Sequence, residues 1–422
     1  MFSFLWMIFT TIKRPIVITI ENAKNLHGDR VNIHISSEKN LHINAEGLLA
    51  FPGLIDPHVH FRTPGLEYKE NWSTAAIAAI SGGYTTVFDM PNTIPPTVSA
   101  ELLQEKKFII QSQLQAVNIP LRYHLFFGAD KAHFSEIYKV REEVIGIKVF
   151  MGCSTGNLVI DDDESLHAVF AIAASQNLIV AVHAEDEKRL DVRKKQYNPK
   201  NYADHSFIRD EETARLAVLK AIHLAKIYRV KLYILHVSTH AEIELISKAK
   251  ADGLAVYAET TPHHLFLNEA AYPLLLGKAV VNPPLRKIVE QSHLFQAIAD
   301  GVIDTIGSDH APHTIAEKEK PYPSCPSGMP GIETTLPLLL TAYHQEKISL
   351  EKIHSLTVTR AEEIFGLTRN EDIILIDLHK KATVTSKALK TKCAWSSFEN
   401  WELQGWPVYT IIQGQCFNLS EL

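Results

Sequence analysis

Cysteine is scarce in this chain. Four occur in 422 residues, Cys153, Cys325, Cys393 and Cys416, without the close paired spacing of a zinc finger or a disulfide scaffold, which suits free thiols in a reducing cytoplasm. Basic charge is not in surplus: 42 Lys and Arg stand against 48 Asp and Glu, a formal net charge of -6. Neither nucleic acid nor an anionic membrane is an expected partner on that balance. No apolar run is long enough to cross a bilayer. The first twelve residues, MFSFLWMIFTTI, fall far short of the ~20 that a spanning helix needs, and they carry neither a basic n-region nor a small-residue cleavage site. An extended start, an edge strand and an interface patch are all open for this segment.

The chain can build a large core. Hydrophobic residues make up 46% and charged residues 21% of it, enough for a barrel-sized domain and a smaller one beside it. From Ile16 to Ala50 the runs VITI, VNIHIS and LHINAEG alternate with the period of two expected of strands, and DIILIDL and PVYTIIQG repeat that pattern near the far end. The expected small β domain therefore combines residues 13–50 and 368–422. Between them, residues 51–367 alternate short apolar runs with helical stretches such as Trp72 to Ser81, Glu164 to Gln176 and Glu211 to Tyr228. The eight runs are LLAFPGLID, TTVFDM, RYHLFF, IGIKVF, LIVAVHAE, KLYILHVS, LAVYAET and VIDTIGSD. Eight such units specify a TIM-type (β/α)8 barrel, an α/β fold whose chemistry sits at the carboxyl ends of the strands.

Those ends carry metal-binding chemistry. In FPGLIDPHVHFR, Phe51 to Arg62, His58 and His60 are one residue apart, so an extended strand projects both imidazoles from the same face. Arg62 follows as a fixed cation placed to meet an anion. The second run leads into Asn92, the fourth contains Lys148, the fifth His183, the sixth His236 and the eighth Asp309. Imidazoles and a carboxylate converging on one mouth are nitrogen and oxygen ligands suited to zinc. Lys148 is the odd member, because an ammonium repels a divalent cation. A lysine whose stem packs while its head reaches solvent is one reading. The other is a neutral amine that takes up carbon dioxide, giving a carbamate able to bridge two metals and leaving net positive charge for one anionic substrate. Asp161, Asp162 and Asp163 are rival ligands, but read more simply as a solvated helix start. The basic run from Lys188 to Lys200 reads as a solvated face.

Taken in order, HVHFRTPG, DMPNT, GIKVFMG, HAED, HVS, ETTPHH, NPPLR, SDHAPH, SGMPGIET and WELQGWPVYT resemble the dihydroorotase family of the amidohydrolase superfamily, over roughly residues 15–416. The resemblance implies a binuclear zinc centre, two Zn2+ per chain, with His58 and His60 on one metal and His183 and His236 on the other. Lys148 would be the bridging carbamate, and Asp309 both a ligand of the first metal and the catalytic base. It implies substrate contacts from Arg62, Asn92, Asn282 and His313, and backbone contacts from Pro330 and Gly331. The implied reaction is reversible hydrolysis of dihydroorotate to N-carbamoyl-aspartate in pyrimidine synthesis. The rivals are a hydantoinase or allantoinase sharing the metal centre, which Arg62 and Asn92 argue against, and a catalytically silent scaffold, which would not need all six ligand positions filled. Expected partners are the small-molecule substrate, a second copy of the chain and aspartate carbamoyltransferase, in the cytoplasm.

Overall fold

The computed structural model describes residues 16–152 and 158–422; the apolar run at residues 1–12 and Cys153 lie outside them. Four strands come first: β1 (Val17–Lys24), β2 (Arg30–Ser36), β3 (Leu41–Asn44) and β4 (Leu49–Pro52). Eight more follow, interleaved with helices: β5 (Leu54–Val59), β6 (Tyr84–Asp89), β7 (Arg122–Gly128), β8 (Gly146–Phe150), β9 (Val180–His183), β10 (Leu232–Ile234), β11 (Val256–Thr260) and β12 (Thr305–Ile306). The chain ends on β13 (Ile373–Thr383), β14 (Glu402–Ile412) and β15 (Gln415–Asn418). Among the described residues these make a seven-stranded sheet from the two ends of the chain and an eight-stranded parallel sheet, ordered β5 to β12, that curls into a nearly closed barrel.

Burial explains the difference between the sheets. In β1, Ile18 and Ile20 are buried while Val17 and Thr19 are only partly covered, the alternation of a one-sided sheet. In β5, β6 and β8 every residue is buried, as parallel strands between a filled lumen and an outer helical ring must be. Local capping chemistry sets the helix limits. Trp72–Ser81 starts where the Asn71 side chain accepts from the Thr74 N–H, and Glu211–Tyr228 starts where Asp210 accepts from Thr213 and stops at left-handed Arg229. The third expected helix begins one residue earlier, at Asp163, because Asp162 is its cap and accepts from the Ser165 N–H at 2.7 Å. Lys131 pairs with Asp161 and Asp162 on the same exposed corner.

The boundary expected between residues 50 and 51 falls inside a strand. β4 runs to Pro52 and pairs antiparallel with β13, so the terminal sheet extends past residue 50 before the chain enters the barrel at Leu54. At the other end, residues 385–401 leave the terminal sheet and pack over the barrel mouth. There Trp395 and Phe398 are buried with Val280, Val281, Leu285 and Met329.

The barrel seam joins β5 to β12, and β12 is only two residues long. The seam closes through a Val59–His310 bridge, through the His60 N–H donating to the His310 carbonyl at 2.8 Å, and through Asp56. The Asp56 carboxyl accepts from the N–H groups of both His58, at 3.1 Å, and Ser308, at 3.0 Å. On the other side of β5, Asp89 accepts from the Phe61 N–H at 2.8 Å, fixing the backbone between His60 and Arg62. Asp89 is itself held by Lys106, whose ammonium lies 2.5 Å away as a charge contact without hydrogen-bond alignment, and donates to the Met90 carbonyl at 3.0 Å. Both partners are buried.

Removing one member of a buried pair strands the other charge, at a cost of about 3–5 kcal/mol. Lys106→Met is expected to destabilise the protein by that amount in urea unfolding. Adding Asp89→Asn to it should recover part of the loss, because the stranded charge is then gone.

Candidate metal centre

Nine of the residues singled out from the sequence line one cleft at the carboxyl end of the barrel: His58, His60, Arg62, Asn92, Lys148, His183, His236, Asn282 and Asp309. Three of them stand on left-handed backbone, Arg62 at φ 62°, His236 at φ 41° and Asp309 at φ 46°. This conformation is uncommon for non-glycine residues and is retained where the surroundings over-determine it. Here it turns each side chain off its strand end into the cleft.

His58 and His60 each bring Nε2 to 3.2 Å from Asp309 Oδ1. Burial lowers the two imidazoles to about 3 and about 4, Asp309 pulling the other way, so both rings are neutral at pH 7. Burial also opposes ionisation of Asp309, but His58, His60 and His236 outweigh it and hold the carboxyl well below its usual range. The contacts are therefore not ion pairs. His60 turns Nδ1 to Asn92 Oδ1 at 2.8 Å, which can only accept, so its ring proton sits there and its Nε2 lone pair faces the carboxylate. His58 turns Nδ1 to Glu259 Oε1, also at 2.8 Å. Two lone pairs and a carboxylate oxygen aimed at one another ask for a cation between them, and His58, His60 and Asp309 are the one such group among the described residues.

The other pair is built alike. His183 gives Nε2 to Glu185 Oε2 at 2.9 Å and brings Nδ1 to 2.9 Å from His236 Nε2. Arg209 contacts the same Glu185 oxygen; although burial opposes it, this cation and His183 hold the Glu185 carboxyl at about 2. Lys148 lines the same cleft, 1% exposed, with Nζ 4.7 Å from the Phe150 ring centre. Burial pushes its ammonium down to about 7, Asp309 and Glu259 opposing. Much of it is therefore free amine near neutrality, the form able to react with carbon dioxide.

Arg62 is 2% exposed. Its Nε donates to the Pro312 carbonyl at 3.0 Å, and its Nη2 lies 3.1 Å from His313 Nε2. Burial lowers the guanidinium to about 10, which leaves it charged. His313 is thus behind Arg62 rather than on the cleft wall, and its other ring nitrogen meets Lys69 at 3.0 Å. Asn282 lines the cleft and takes His205 Nε2 at 2.9 Å. Pro330 and Gly331 are not brought to the cleft: they border a small separate cavity beside His310, where the Gly331 N–H meets His310 Nδ1 at 3.2 Å. Ser327 and Gly328 form the wall in their place.

Glu185 and Glu259 are the site residues that reading the sequence missed. Both stood in the motifs HAED and ETTPHH, at or near strand ends; the partner of Glu259 lies 201 positions away and leaves no local periodicity, whereas Glu185 stands two residues after its partner His183. Burial, with the Asp309 charge adding to it, pushes Glu259 up to about 8 against the Tyr233 hydrogen bond and Lys148.

A parallel barrel that gathers imidazoles, a carboxylate and a buried lysine at its carboxyl mouth fits the metal-dependent barrel hydrolases as a class. The chain belongs to the amidohydrolase family, whose model matches residues 49–416. It is 35% identical over 397 residues to a dihydroorotase of Halobacterium salinarum, covering 92% of this chain and 90% of the relative. It is 33% identical over 387 residues to a dihydroorotase of Methanosphaera stadtmanae, covering 87% and 84%. Among solved structures it resembles an L-hydantoinase (dihydropyrimidinase) from Arthrobacter aurescens, with a TM-score of 0.88, 25% identity, and coverage of 95% and 96%.

The Lys148 shift sets a pH dependence. A lysine with a folded pKa of about 7 against an ordinary 10.5 destabilises the fold fully below about 7, and that penalty fades as pH rises to 10.5. In chelator-treated protein, Lys148→Met should unfold at higher urea than wild type near pH 6, by up to roughly 5 kcal/mol. The advantage should vanish near pH 10. A difference that stays constant with pH would contradict the shift.

Proposed function

We propose that the protein is a dihydroorotase, a cyclic amidohydrolase that opens the ring amide of dihydroorotate to N-carbamoyl-aspartate and closes it in the reverse direction. The observation that carries this reading is the Arg62 guanidinium. It is buried at the cleft edge beside Asp309, and the Pro312 carbonyl and the His313 ring, which burial keeps neutral, are its partners. A buried cation whose hydrogen-bond partners are neutral suits a substrate carboxylate, which a guanidinium grips in a planar two-bond contact. The names of the relatives at 33–35% identity agree with it. The hydantoinase reading is favoured by fold similarity alone, and a hydantoin ring has no carboxylate to meet Arg62.

His58, His60 and Asp309 would hold one Zn2+ and His183 and His236 a second, with Lys148 as a carbamate between them. Cations there supply hydroxide at neutral pH and draw electron density from the carbonyl under attack. The carbamate forms when the neutral Lys148 amine adds to carbon dioxide and gives up a proton. Arg62 and Asn92 fix the substrate carboxylate, so that the ring carbonyl is held against the nucleophile. Asp309 takes the proton of the attacking hydroxide and delivers it to the ring nitrogen as the C–N bond breaks; in ring closure it moves the proton back. The new carboxylate is formed already ionised, and the proton released overall near neutral pH is that of the water from which the next hydroxide is drawn. Self-association, docking to aspartate carbamoyltransferase and a cytoplasmic location belong to the same reading; among the described residues no helix is long and apolar enough to cross a membrane.

The direct test follows the ultraviolet absorbance of dihydroorotate with purified protein before and after chelation. Turnover that is lost with the metal and restored by Zn2+ is expected. Arg62→Met keeps the stem but removes the charge. It should lower kcat/KM for dihydroorotate at least about a hundredfold, roughly 3 kcal/mol, with bound metal unchanged. A wild type that prefers dihydrouracil or hydantoin would transfer the case to the hydantoinase reading.

Asp309→Asn should bind substrate but scarcely convert it in either direction, since one group moves the proton both ways. Substantial turnover by this variant in ring opening or ring closure would remove Asp309 from the base role.

A further inference from the structure

The described histidines of the metal centre differ in what stands behind them. His60 leans on an amide and His183 on a carboxylate shared with Arg209. His58 leans on Glu259, which does more. This residue is the last but one of β11 and is fully buried. Its Oε1 lies 2.8 Å from His58 Nδ1 and accepts from the His236 backbone N–H at 3.3 Å. Its Oε2 accepts from the Tyr233 hydroxyl at 2.9 Å, and that hydroxyl is 2.6 Å from Thr305 Oγ1. One carboxylate therefore touches the ends of β5, β10 and β11, and reaches β12 through a phenol.

Space has been kept for it. A Cβ on Gly307 would lie 2.5 Å from the Glu259 carboxylate carbon and 2.8 Å from His58 Cβ. Gly307 is not among the positive-φ glycines, so the missing side chain serves close approach rather than backbone freedom. Glu259 is not one of the converging ligand atoms; those are His58, His60 and Asp309.

We propose that Glu259 is a positioning residue for both halves of the metal centre. It holds the ring proton of His58 on Nδ1 so that Nε2 faces the cation, and it fixes the left-handed backbone from which His236 projects. The inference rests on the metal-dependent reading above. Carboxylates behind ligating histidines orient the ring and raise its basicity, and their loss typically costs 10- to 100-fold in metal affinity.

The test uses the full chain, stripped by chelation and titrated with Co2+ and with Zn2+, reading bound metal by elemental analysis and the visible absorption of bound Co2+. Glu259→Gln keeps the shape, and Gly307→Ala leaves Glu259 in the sequence but pushes its carboxylate off His58. Both are expected to bind Co2+ about 10- to 100-fold more weakly, with an altered Co2+ spectrum. Tyr233→Phe removes one hydroxyl from the same carboxylate and should give a smaller loss, so a result is available even if Gly307→Ala fails to fold. A filler of the core with no positioning role would lower thermal stability without changing the Co2+ spectrum. If wild type loads normally and Glu259→Gln and Tyr233→Phe load equally tightly with the same spectrum, the inference is overturned alone. If wild type takes up no divalent cation, the metal reading falls, and this inference with it.

Discussion

The site depends on closure of the barrel between β5 and β12. His58 and His60 come from one side of that seam and Asp309 from the other, so the three donors exist as a set only when the first and last strands meet. With β12 reduced to two residues, regular ladder bonds cannot carry the closure. Asp56 substitutes for them, accepting from the backbone of His58 and Ser308 with one carboxyl. A carboxyl used this way is fully buried, and burial raises it to about 7 against the hydrogen bonds it accepts. Seam closure and the electrostatics of the mouth are thus parts of one problem.

That problem is how to crowd titratable groups where water is excluded. Desolvation disfavours every charge, and the protein answers differently at each position. The imidazoles give up their protons and keep lone pairs free for a cation, Lys148 is driven toward the neutral amine, and the Asp309 carboxyl is held well below its usual range against its own burial. Farther out, Glu185 keeps its charge by contact with Arg209. Removing the cation and keeping the cleft would leave lone pairs facing lone pairs, and this is why the donor set is informative about what it holds.

Much of this could be read from the sequence, for identifiable reasons. A parallel strand buried on both faces has to be a continuous apolar run, and the eight apolar runs fall on β5 to β12. Capping residues mark helix starts, so the helices at Trp72 and Glu211 were legible to the residue, and the third was missed by one because Asp162 rather than Asp163 is its cap. The residues that the cleft gathers were legible because function puts polar side chains at strand ends, where a barrel has no other use for them. Long-range partners were not legible. Nothing local says that Glu259 reaches His58 or that Lys106, on a helix face, turns inward to Asp89. For a similar reason the sequence does not say which residues of the 327–331 turn line the cleft; Ser327 and Gly328 do. Which part of a glycine- and proline-rich turn faces a cleft depends on what packs behind it, here His310 beside Gly331.

The fold does not by itself separate the two candidate chemistries, because a hydantoinase structure superimposes on this chain almost throughout. What separates them is local charge, and the terminal unit takes part in setting it. The Trp395 indole donates to the His313 carbonyl at 2.7 Å, while the Lys392 N–H donates to Glu70 at 3.1 Å and the Thr391 hydroxyl contacts the same carboxylate. Residues 385–401 therefore brace the loop that carries Arg62 and the histidine standing behind its guanidinium. A guanidinium can hold a ligand carboxylate only if its own position costs the ligand nothing to arrange. On the proposed reading, a strap sent from the terminal sheet over the mouth would fix Arg62 before any substrate arrives, and would couple the selectivity of the barrel to the packing of a unit that supplies none of the proposed metal ligands.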